Sequence, residues 1–212
     1  MQYLDFHHHR KDYKNGIYNL ELFADAVDFP FSAGIHPKDI LENNEEAKSW
    51  LMKISKNTNC VAIGECGLDG LIDVKIELQN EIFLWQIELA NTLQKPIIIH
   101  CVKKHYEIIP FKKISKIPMV IHGFNKNKIL AQELLKNDFY LSFGKAALRN
   151  VSLQEILKEI GAENFFLETD DADFDISILY KKVAEIRGVN IEEINNQMIK
   201  NRQEIQQWRK IG

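Results

Sequence analysis

The sequence is short of several features that would place it in other classes of protein. Its 212 residues include only three cysteines, Cys60, Cys66 and Cys101, and no two of them form a Cys-x-x-Cys pair. So sparse and odd a set argues against a disulfide framework and favours a reducing compartment. The net charge is only -3, so the chain carries no global polybasic signal for nucleic acid.

Long hydrophobic runs are missing as well. No apolar stretch is long enough to span a bilayer. The first residues, Met1-Gln2-Tyr3-Leu4-Asp5, contain neither the basic nor the apolar part of a secretory leader. The sequence therefore predicts a soluble cytoplasmic protein with no membrane association. Because no linker, low-complexity tract or repeat divides it, we expect a single domain over residues 1–212, with no obligate protein partner evident.

What recurs along the chain is a unit of strand, loop and helix. Eight short apolar runs predict strands, at residues 3–6, 17–23, 31–37, 60–69, 97–100, 119–122, 139–143 and 165–170. Most are followed by helical patterns, which predicts an α/β fold, namely a TIM (β/α)8 barrel. Residues 10–16 are too few and too polar for a packing helix. We therefore expect a somewhat truncated barrel with a reduced first βα crossover.

Two helices carry more specific expectations. Ser152 and Glu155 have the spacing of a capping box, which predicts the start of a helix that stops at Gly161. The last helix, from Ile191 to about Trp208, is expected to cover the outer face of the first two strands. A partner subunit would be the alternative cover for that face.

Side chains of metal-ligand type recur at the carboxyl ends of the predicted strands, which is where the active site of a (β/α)8 barrel lies. They are His7, His9, Glu65, His100, His122 and Asp170. Glu65 ends a buried strand, where an ionised carboxylate requires a positive partner. Four imidazoles and two carboxylates suit two divalent ions of zinc, manganese or magnesium, with Glu65 as the bridge. A salt bridge between Glu65 and a distant lysine is the alternative.

Other residues near these positions allow two readings. In an extended segment Asp5 shares a face with His7 and His9, so it is a candidate acceptor beside the ligands. His36 ends the third predicted strand and either lines a site or belongs to a capped loop. A lone histidine in the position of His100 is more often a core residue whose hydrogen bonds are made within the protein. His100 is a candidate metal ligand only because the other candidates are predicted at the same end of the barrel.

Six motifs together resemble the TatD family of metal-dependent deoxyribonucleases and follow that family's order along nearly the whole chain. They are Asp5-x-His7-x-His9, Gly34-Ile35-His36-Pro37, Ala62-Ile63-Gly64-Glu65-x-Gly67-Leu68-Asp69, Pro96-Ile97-Ile98-Ile99-His100, His122-Gly123-Phe124 and Leu167-Glu168-Thr169-Asp170. The resemblance implies an amidohydrolase-type TIM barrel with a divalent metal centre. It implies that the six rim residues are the ligands, that His36 lines the substrate pocket, and that the activity is 3′-to-5′ DNase, in some members also RNase.

The chain departs from the family pattern at several points. Phe6 stands where the family has a small residue, and Asp171-Ala172 replaces the usual Ser-Pro. The arginine expected two residues after His100 is Val102, so Lys103 or Lys104 would have to contact a substrate phosphate as a point charge. The segment between the first histidines and Gly34 is short. These differences leave the metal site intact and bear on the substrate.

The charge pattern favours a polyanionic substrate. Basic residues concentrate in the loops of the predicted rim: Arg10, Lys11, Lys38, Lys103, Lys104, Lys126, Lys128, Lys145 and Arg149. Against this, three acidic residues follow the eighth strand, and lysines at helix starts are often only solvated.

Two functions follow. The first is a TatD-like phosphodiesterase acting on DNA or another phosphoester, with Glu65 and Asp170 as catalytic residues and His36 and Lys103 as substrate-binding residues. The second is a non-nuclease metal-dependent hydrolase of another ester or amide.

Overall fold

The computed structural model describes residues 2–208, which contain eight parallel strands wound into a barrel. The strands are β1 (Asp5–His8), β2 (Gly16–Leu20), β3 (Phe31–Ala33), β4 (Cys60–Asp69), β5 (Ile97–Val102), β6 (Met119–Ile121), β7 (Phe139–Phe143) and β8 (Phe165–Leu167). They pair in sequence order. An isolated parallel bridge between His8 and Asp170 joins β1 to the chain just after β8. The predicted (β/α)8 barrel is confirmed.

Seven α-helices surround the strands within residues 2–208. They are α1 (Glu45–Ile54), α2 (Ile76–Leu93), α3 (His105–Ile108), α4 (Lys128–Lys136), α5 (Val151–Glu159), α6 (Ile176–Arg187) and α7 (Ile191–Gln206). The third is short because Pro110 lacks a backbone N–H, and a 3-10 turn, Ile109–Lys113, follows this helix. The predicted capping box is wrong. Asn150 caps α5 by accepting a hydrogen bond from the Ser152 N–H at 3.0 Å.

The reduced first crossover is confirmed. Within the described chain no helix separates β1 from β2, or β2 from β3. Residues 21–30 instead lie against α1, where the Trp50 indole donates a hydrogen bond to the Ala24 carbonyl at 3.2 Å. Phe29 packs beside Tyr18 of β2, with ring centroids 5.9 Å apart. This loop supplies the apolar cover that a helix would otherwise provide.

The last helix takes a different place from the one expected. Asn195 of α7 accepts a hydrogen bond from Leu4 N, and Asn201 donates one to Phe165 O at the start of β8. Ile205 packs with the barrel-interior cluster that includes Phe6 and Ile17. α7 therefore lies across the amino-terminal end of the barrel rather than over the outer face of β1 and β2, because residues 21–30 already fill part of that face.

The lower barrel interior is apolar. Phe6 stacks on Phe166 at a centroid distance of 4.0 Å, in a cluster with Ile98 and Val120. This stacking accounts for the bulky residue at position 6, since the ring fills the space beneath the polar rim. Of the helices in residues 2–208, none has the length and apolar character required to cross a membrane.

Candidate active site

Glu65 lies at the centre of a ring of histidines. Its Oε1 is 2.7 Å from Nε2 of His122 and 2.9 Å from Nδ1 of His100. Its Oε2 is 3.6 Å from Nε2 of His7 and 3.8 Å from Nε2 of His9. No lysine or arginine in residues 2–208 pairs with this carboxylate. The alternative prediction, a salt bridge between Glu65 and a distant lysine, is therefore wrong.

The second carboxylate, Asp170, faces the same pair of histidines. Its Oδ1 lies 3.4 Å from Nε2 of His9 and 3.6 Å from Nε2 of His7. Backbone hydrogen bonds hold the two segments together, from Asp170 N to His7 O and from His9 N to Asp170 O. The two chain segments that carry these side chains are thus fixed to one another at the end of the barrel.

Close backbone packing places Glu65. A side chain at Gly34 would put its Cβ 2.8 Å from Glu65 O, and one at Gly64 would put its Cβ 2.4 Å from Ile98 O. Gly64 also has a φ of +142°, a conformation that favours glycine. The Glu65 N–H donates to Oδ1 of Asn19 at 3.1 Å. The glycines let β3, β4 and β5 approach closely enough to bring their ends to one point.

Electrostatics around Glu65 require positive charge. Burial alone would raise the pKa of Glu65, but His122 and His100 beside it hold that pKa far below its usual range. Burial likewise acts to lower the pKa of His122, and Glu65 with Glu168 outweighs it and raises that pKa well above its ordinary value. The buried carboxylate therefore stays ionised, and a cation is its natural partner.

The side chains present fit a metal centre. Both ring nitrogens of the fully buried His7 lack a hydrogen-bond partner among the described residues, although Nε2 faces the two carboxylates. Three groups have potential ligand atoms within 4.8 Å of one another: His7, Glu65 and His122; His7, His9 and Asp170; and His36, Glu65 and His100. A buried nitrogen left without a partner but aimed at carboxylates is satisfied by a divalent ion.

Two further carboxylates fix the orientation of the histidines. Asp69 Oδ2 lies 3.0 Å from Nε2 of His100, while Asp69 Oδ1 accepts the Leu71 N–H. A carboxylate can only accept, so Asp69 would take the proton of Nε2 when an ion is bound and leave the lone pair of Nδ1 for that ion. Glu168 Oε1, which accepts the Gly123 N–H at 2.5 Å, lies 3.5 Å from Nδ1 of His122. Such outer partners set ligand orientation and basicity.

Sequence reasoning assigned no role to Asp69 or Glu168, although both belong to quoted motifs. The available signal was strand periodicity. Asp69 is four residues after Glu65 and Glu168 is two residues before Asp170, and even spacing along an extended chain places side chains on one face. Asp5, by contrast, does not reach the centre. It accepts hydrogen bonds from Thr169 N and Oγ1, at 2.8 and 2.6 Å, and burial raises its pKa to about 7.

His36 is close to the ring but is oriented differently. Its Nδ1 accepts the Lys38 N–H at 3.0 Å and caps the 3-10 turn Pro37–Asp39. Nδ1 therefore has no proton, and the neutral ring carries its proton on Nε2, 3.6 Å from Glu65 Oε1. Burial lowers the pKa of His36 to about 4, which keeps the ring neutral at physiological pH. His36 presents a donor, and so fits a metal ligand less well than its neighbours do.

An open cavity of about 320 Å³ lies beside Glu65. It is formed by the ends of β1 to β4 and lined by His9, Asn19, Leu20, Glu21, Leu22, Gly34, His36, Lys38, Asp39 and Glu65. Lys103 is exposed after β5 and is not among these residues. Lys104 pairs with Glu107 at 3.2 Å. The structure thus brings Lys38, rather than either predicted lysine, to this cavity.

A family model described as TatD related DNase matches residues 11–207. The chain belongs to the TatD family. Among its relatives is the uncharacterized metal-dependent hydrolase YabD of Bacillus subtilis, 30% identical over 190 residues that cover 80% of this chain and 74% of YabD. The 3'-5' ssDNA/RNA exonuclease TatD of Citrobacter koseri is 30% identical over 146 residues. That match covers 66% of this chain and only 56% of the exonuclease.

Solved structures of TatD proteins share the fold. YjjV, the TatD homologue of Escherichia coli K12, superposes with a TM-score of 0.81 at 18% identity, over 94% of this chain and 96% of YjjV. A TatD family hydrolase of Entamoeba histolytica gives a TM-score of 0.77 at 14% identity, over 97% and 98% of the two chains. At these identities the likeness concerns the barrel, and the candidate site rests on the side chains described above.

Asp69→Asn is expected to weaken binding of a divalent ion by about 10- to 100-fold, the usual effect of losing a partner behind a ligand. If the amide oxygen of the new side chain keeps the Leu71 N–H, its amide N–H faces Nε2 of His100. The proton of His100 is then expected on Nδ1, which removes the lone pair that this nitrogen would offer to an ion. Zinc titration by calorimetry measures the affinity, with Asp73→Asn, an exposed change of the same kind, as the control. Equal affinity in all three proteins would contradict this role.

Proposed function

We propose that this TatD family member is a metal-dependent phosphodiesterase that removes nucleotides from the 3′ end of single-stranded DNA. The proposal rests on the way in which the two carboxylate oxygens of Glu65 face different pairs of histidines. One carboxylate oxygen faces His100 and His122, and the other faces His7 and His9, with Asp170 opposite. We propose two divalent ions, of zinc, manganese or magnesium, held by these six side chains and bridged by Glu65. Such ions lower the pKa of bound water and stabilise charge on phosphoryl oxygens.

The two carboxylates have different tasks in this proposal. The Glu65 side chain is 8% exposed and surrounded by imidazoles, whereas that of Asp170 is 33% exposed. Asp170 is therefore the carboxylate that an attacking water can reach, and its side chain accepts the proton of that water. Glu65 holds the centre together. His36 and Lys38 contact the substrate from the cavity, and Lys103 remains a predicted contact on the outer rim.

The charge at the rim is compatible with a polyanion. Several basic rim residues are neutralised, since Lys104 pairs with Glu107, Lys128 with Glu159, and Arg10 lies 3.9 Å from Asp5. Others form no ion pair within residues 2–208, among them Lys11, Lys38, Lys126 and Arg149. These charges support attraction of nucleic acid, which predicts that activity falls as salt increases.

The proposal is tested with one oligonucleotide labelled at its 3′ end and again at its 5′ end, incubated with manganese or magnesium. Loss of the 3′ label as mononucleotide, with a ladder from the 5′-labelled strand, is the expected result. A panel of small phosphoesters, lactones and amides is run in parallel. If those turn over while DNA stays intact at high enzyme concentration, the nuclease proposal fails. The second candidate, a non-nuclease hydrolase, is favoured by the missing arginine and would then stand.

Val102→Arg is expected to lower the KM for DNA by about 10-fold, because a hydrogen bond to a charged group contributes about 1.5–3 kcal/mol. Val102 ends β5 and pairs in register with Asp69, next to the centre. Steady-state kinetics on the labelled oligonucleotide measure the change. Val189→Arg, in the turn after α6, adds the same charge elsewhere and serves as the control. An unchanged KM in the Val102 variant would show that this position does not contact a phosphate.

A further inference from the structure

Two polar side chains in the cavity have their orientation fixed by backbone N–H groups. The first is Asn19 of β2, whose Oδ1 accepts the Glu65 N–H at 3.1 Å and lies 3.4 Å from Ser32 Oγ. Since a backbone N–H can only donate, the oxygen of Asn19 must face Glu65. Its amide Nδ2 is then the free end, and no hydrogen bond in residues 2–208 uses it. Asn19 lines the cavity.

The second is His36, and a backbone N–H likewise determines which of its ring nitrogens carries the proton. Lys38 N donates to Nδ1, so the proton of the neutral ring is on Nε2. That nitrogen lies 3.6 Å from Glu65 Oε1, beyond hydrogen-bond distance, so its proton has no committed acceptor. Nδ1 of His100 and Nε2 of His122 lie within 2.9 Å of Glu65 Oε1, whereas Nε2 of His36 lies 3.6 Å away and keeps its proton free. The difference separates the ligand histidines from a histidine that binds an acceptor.

We propose that Nε2–H of His36 and Nδ2–H of Asn19 form a phosphate-binding subsite, which receives the non-bridging oxygens of one phosphoryl group beside Glu65. The subsite rests on the proposed function and specifies where the scissile group sits. Lys38 adds positive charge at its rim, while Glu21 and Asp39 on the same wall repel a second phosphate. The cavity therefore takes a single phosphoryl group next to the centre rather than a row of them.

The orientation of His36 is tested first, in protein labelled with ¹⁵N-histidine and loaded with zinc. We expect its Nε2 to resonate as a protonated nitrogen and Nδ1 as an unprotonated one, and we expect neither to take the shift of a metal-bound nitrogen when zinc is added. The spectrum of His36→Asn identifies the signals. A zinc-bound Nε2, or a proton on Nδ1, would overturn the assignment of His36 as a donor.

Binding of inorganic phosphate to the zinc-loaded protein is tested next by calorimetry. His36→Asn keeps an oxygen that can accept the Lys38 N–H but removes Nε2–H. Asn19→Asp keeps the acceptor for Glu65 N but replaces the amide donor. Each variant is expected to bind phosphate about 10-fold or more weakly, the effect of one charged hydrogen bond. Asn190→Asp, at the amino-terminal cap of α7, makes the same change away from the cavity and is expected to bind as the wild type does.

The outcomes separate the subsite from the proposed function. Phosphate binding that weakens in both variants at equal zinc content supports the subsite, even if DNA is not cleaved, and in that case the nuclease proposal alone fails. Phosphate that does not bind the wild type, or binds both variants equally well, overturns the subsite. The KM for the oligonucleotide distinguishes a free anion from a phosphodiester, since a subsite for the scissile group requires KM to rise in both variants. An unchanged KM would show an inorganic anion site only, and would overturn the proposed placement of the scissile group.

Discussion

Glu65→Gln is expected to reduce hydrolysis by roughly 100-fold or more and to release metal, because it removes the charge that both ligand sets share. Glutamine has nearly the same size, so packing at the centre changes little. Its amide nitrogen must nevertheless face either His100 and His122 or His7 and His9. Two N–H donors then point at nitrogens whose lone pairs are required for an ion.

The loss is measured in two ways. Metal content after dialysis, determined for protein reconstituted with zinc, manganese or magnesium, is expected to be close to two ions per chain for the wild type and clearly below that for Glu65→Gln. Hydrolysis of the labelled oligonucleotide gives the rate. Glu46→Gln, an exposed change in the first turn of α1, is the control. A variant with full metal content and a rate within a few-fold of wild type would exclude Glu65 as the bridge.

The barrel was predictable because its determinants are local. Short apolar runs ending in His, Glu or Asp mark β4, β5, β6 and the end of β8, and parallel packing brings those ends together whatever the loops between them do. The six candidate ligands follow from the same argument, and the structure places all of them around Glu65 and Asp170. Periodicity was sufficient here because one face of each strand meets the same point.

Features that depend on contacts distant in sequence were not predictable in this way. The position of α7 is set by Asn195 and Asn201, which bond to backbone groups of Leu4 and Phe165. Nothing in the amphipathic pattern of α7 distinguishes the end of a barrel from its side. The place of Lys103 could not be inferred from its sequence proximity to His100, since a positive φ of 55° turns the chain there and the cavity opens towards β2 and β3 instead.

Which ring nitrogen of a histidine carries the proton was also not predictable, because it depends on the hydrogen-bond partner of the other nitrogen. His36 and His100 both come directly after short apolar runs and look equivalent in the sequence. Lys38 N donates to Nδ1 of His36, which leaves the proton of that ring on Nε2. Nε2 of His100 instead faces Asp69, which would take its proton and leave Nδ1 to hold an ion. Sequence patterns locate such rings, but only three-dimensional partners assign their chemistry.

Asp170→Asn is expected to lower kcat by roughly 100-fold while keeping most of the metal, since His7, His9 and Glu65 remain as ligands. The backbone of Asp170 has a φ of 55°, and asparagine tolerates that left-handed conformation about as well as aspartate. The bonds that join Asp170 to His7 and His9 are made by the backbone, so they persist in the variant. The fold should therefore be retained while the proton acceptor is lost.

The measurement is designed to separate this effect from that of Glu65. Single-turnover hydrolysis and metal content are determined on the same preparation, with Asp173→Asn, an exposed change nearby, as the control. A large loss of rate at nearly full metal content identifies Asp170 as the proton acceptor. If metal is lost in proportion to activity, Asp170 acts only as a ligand. If the rate is unchanged, another group accepts the proton, and the different exposures of the two carboxylates do not reflect different roles.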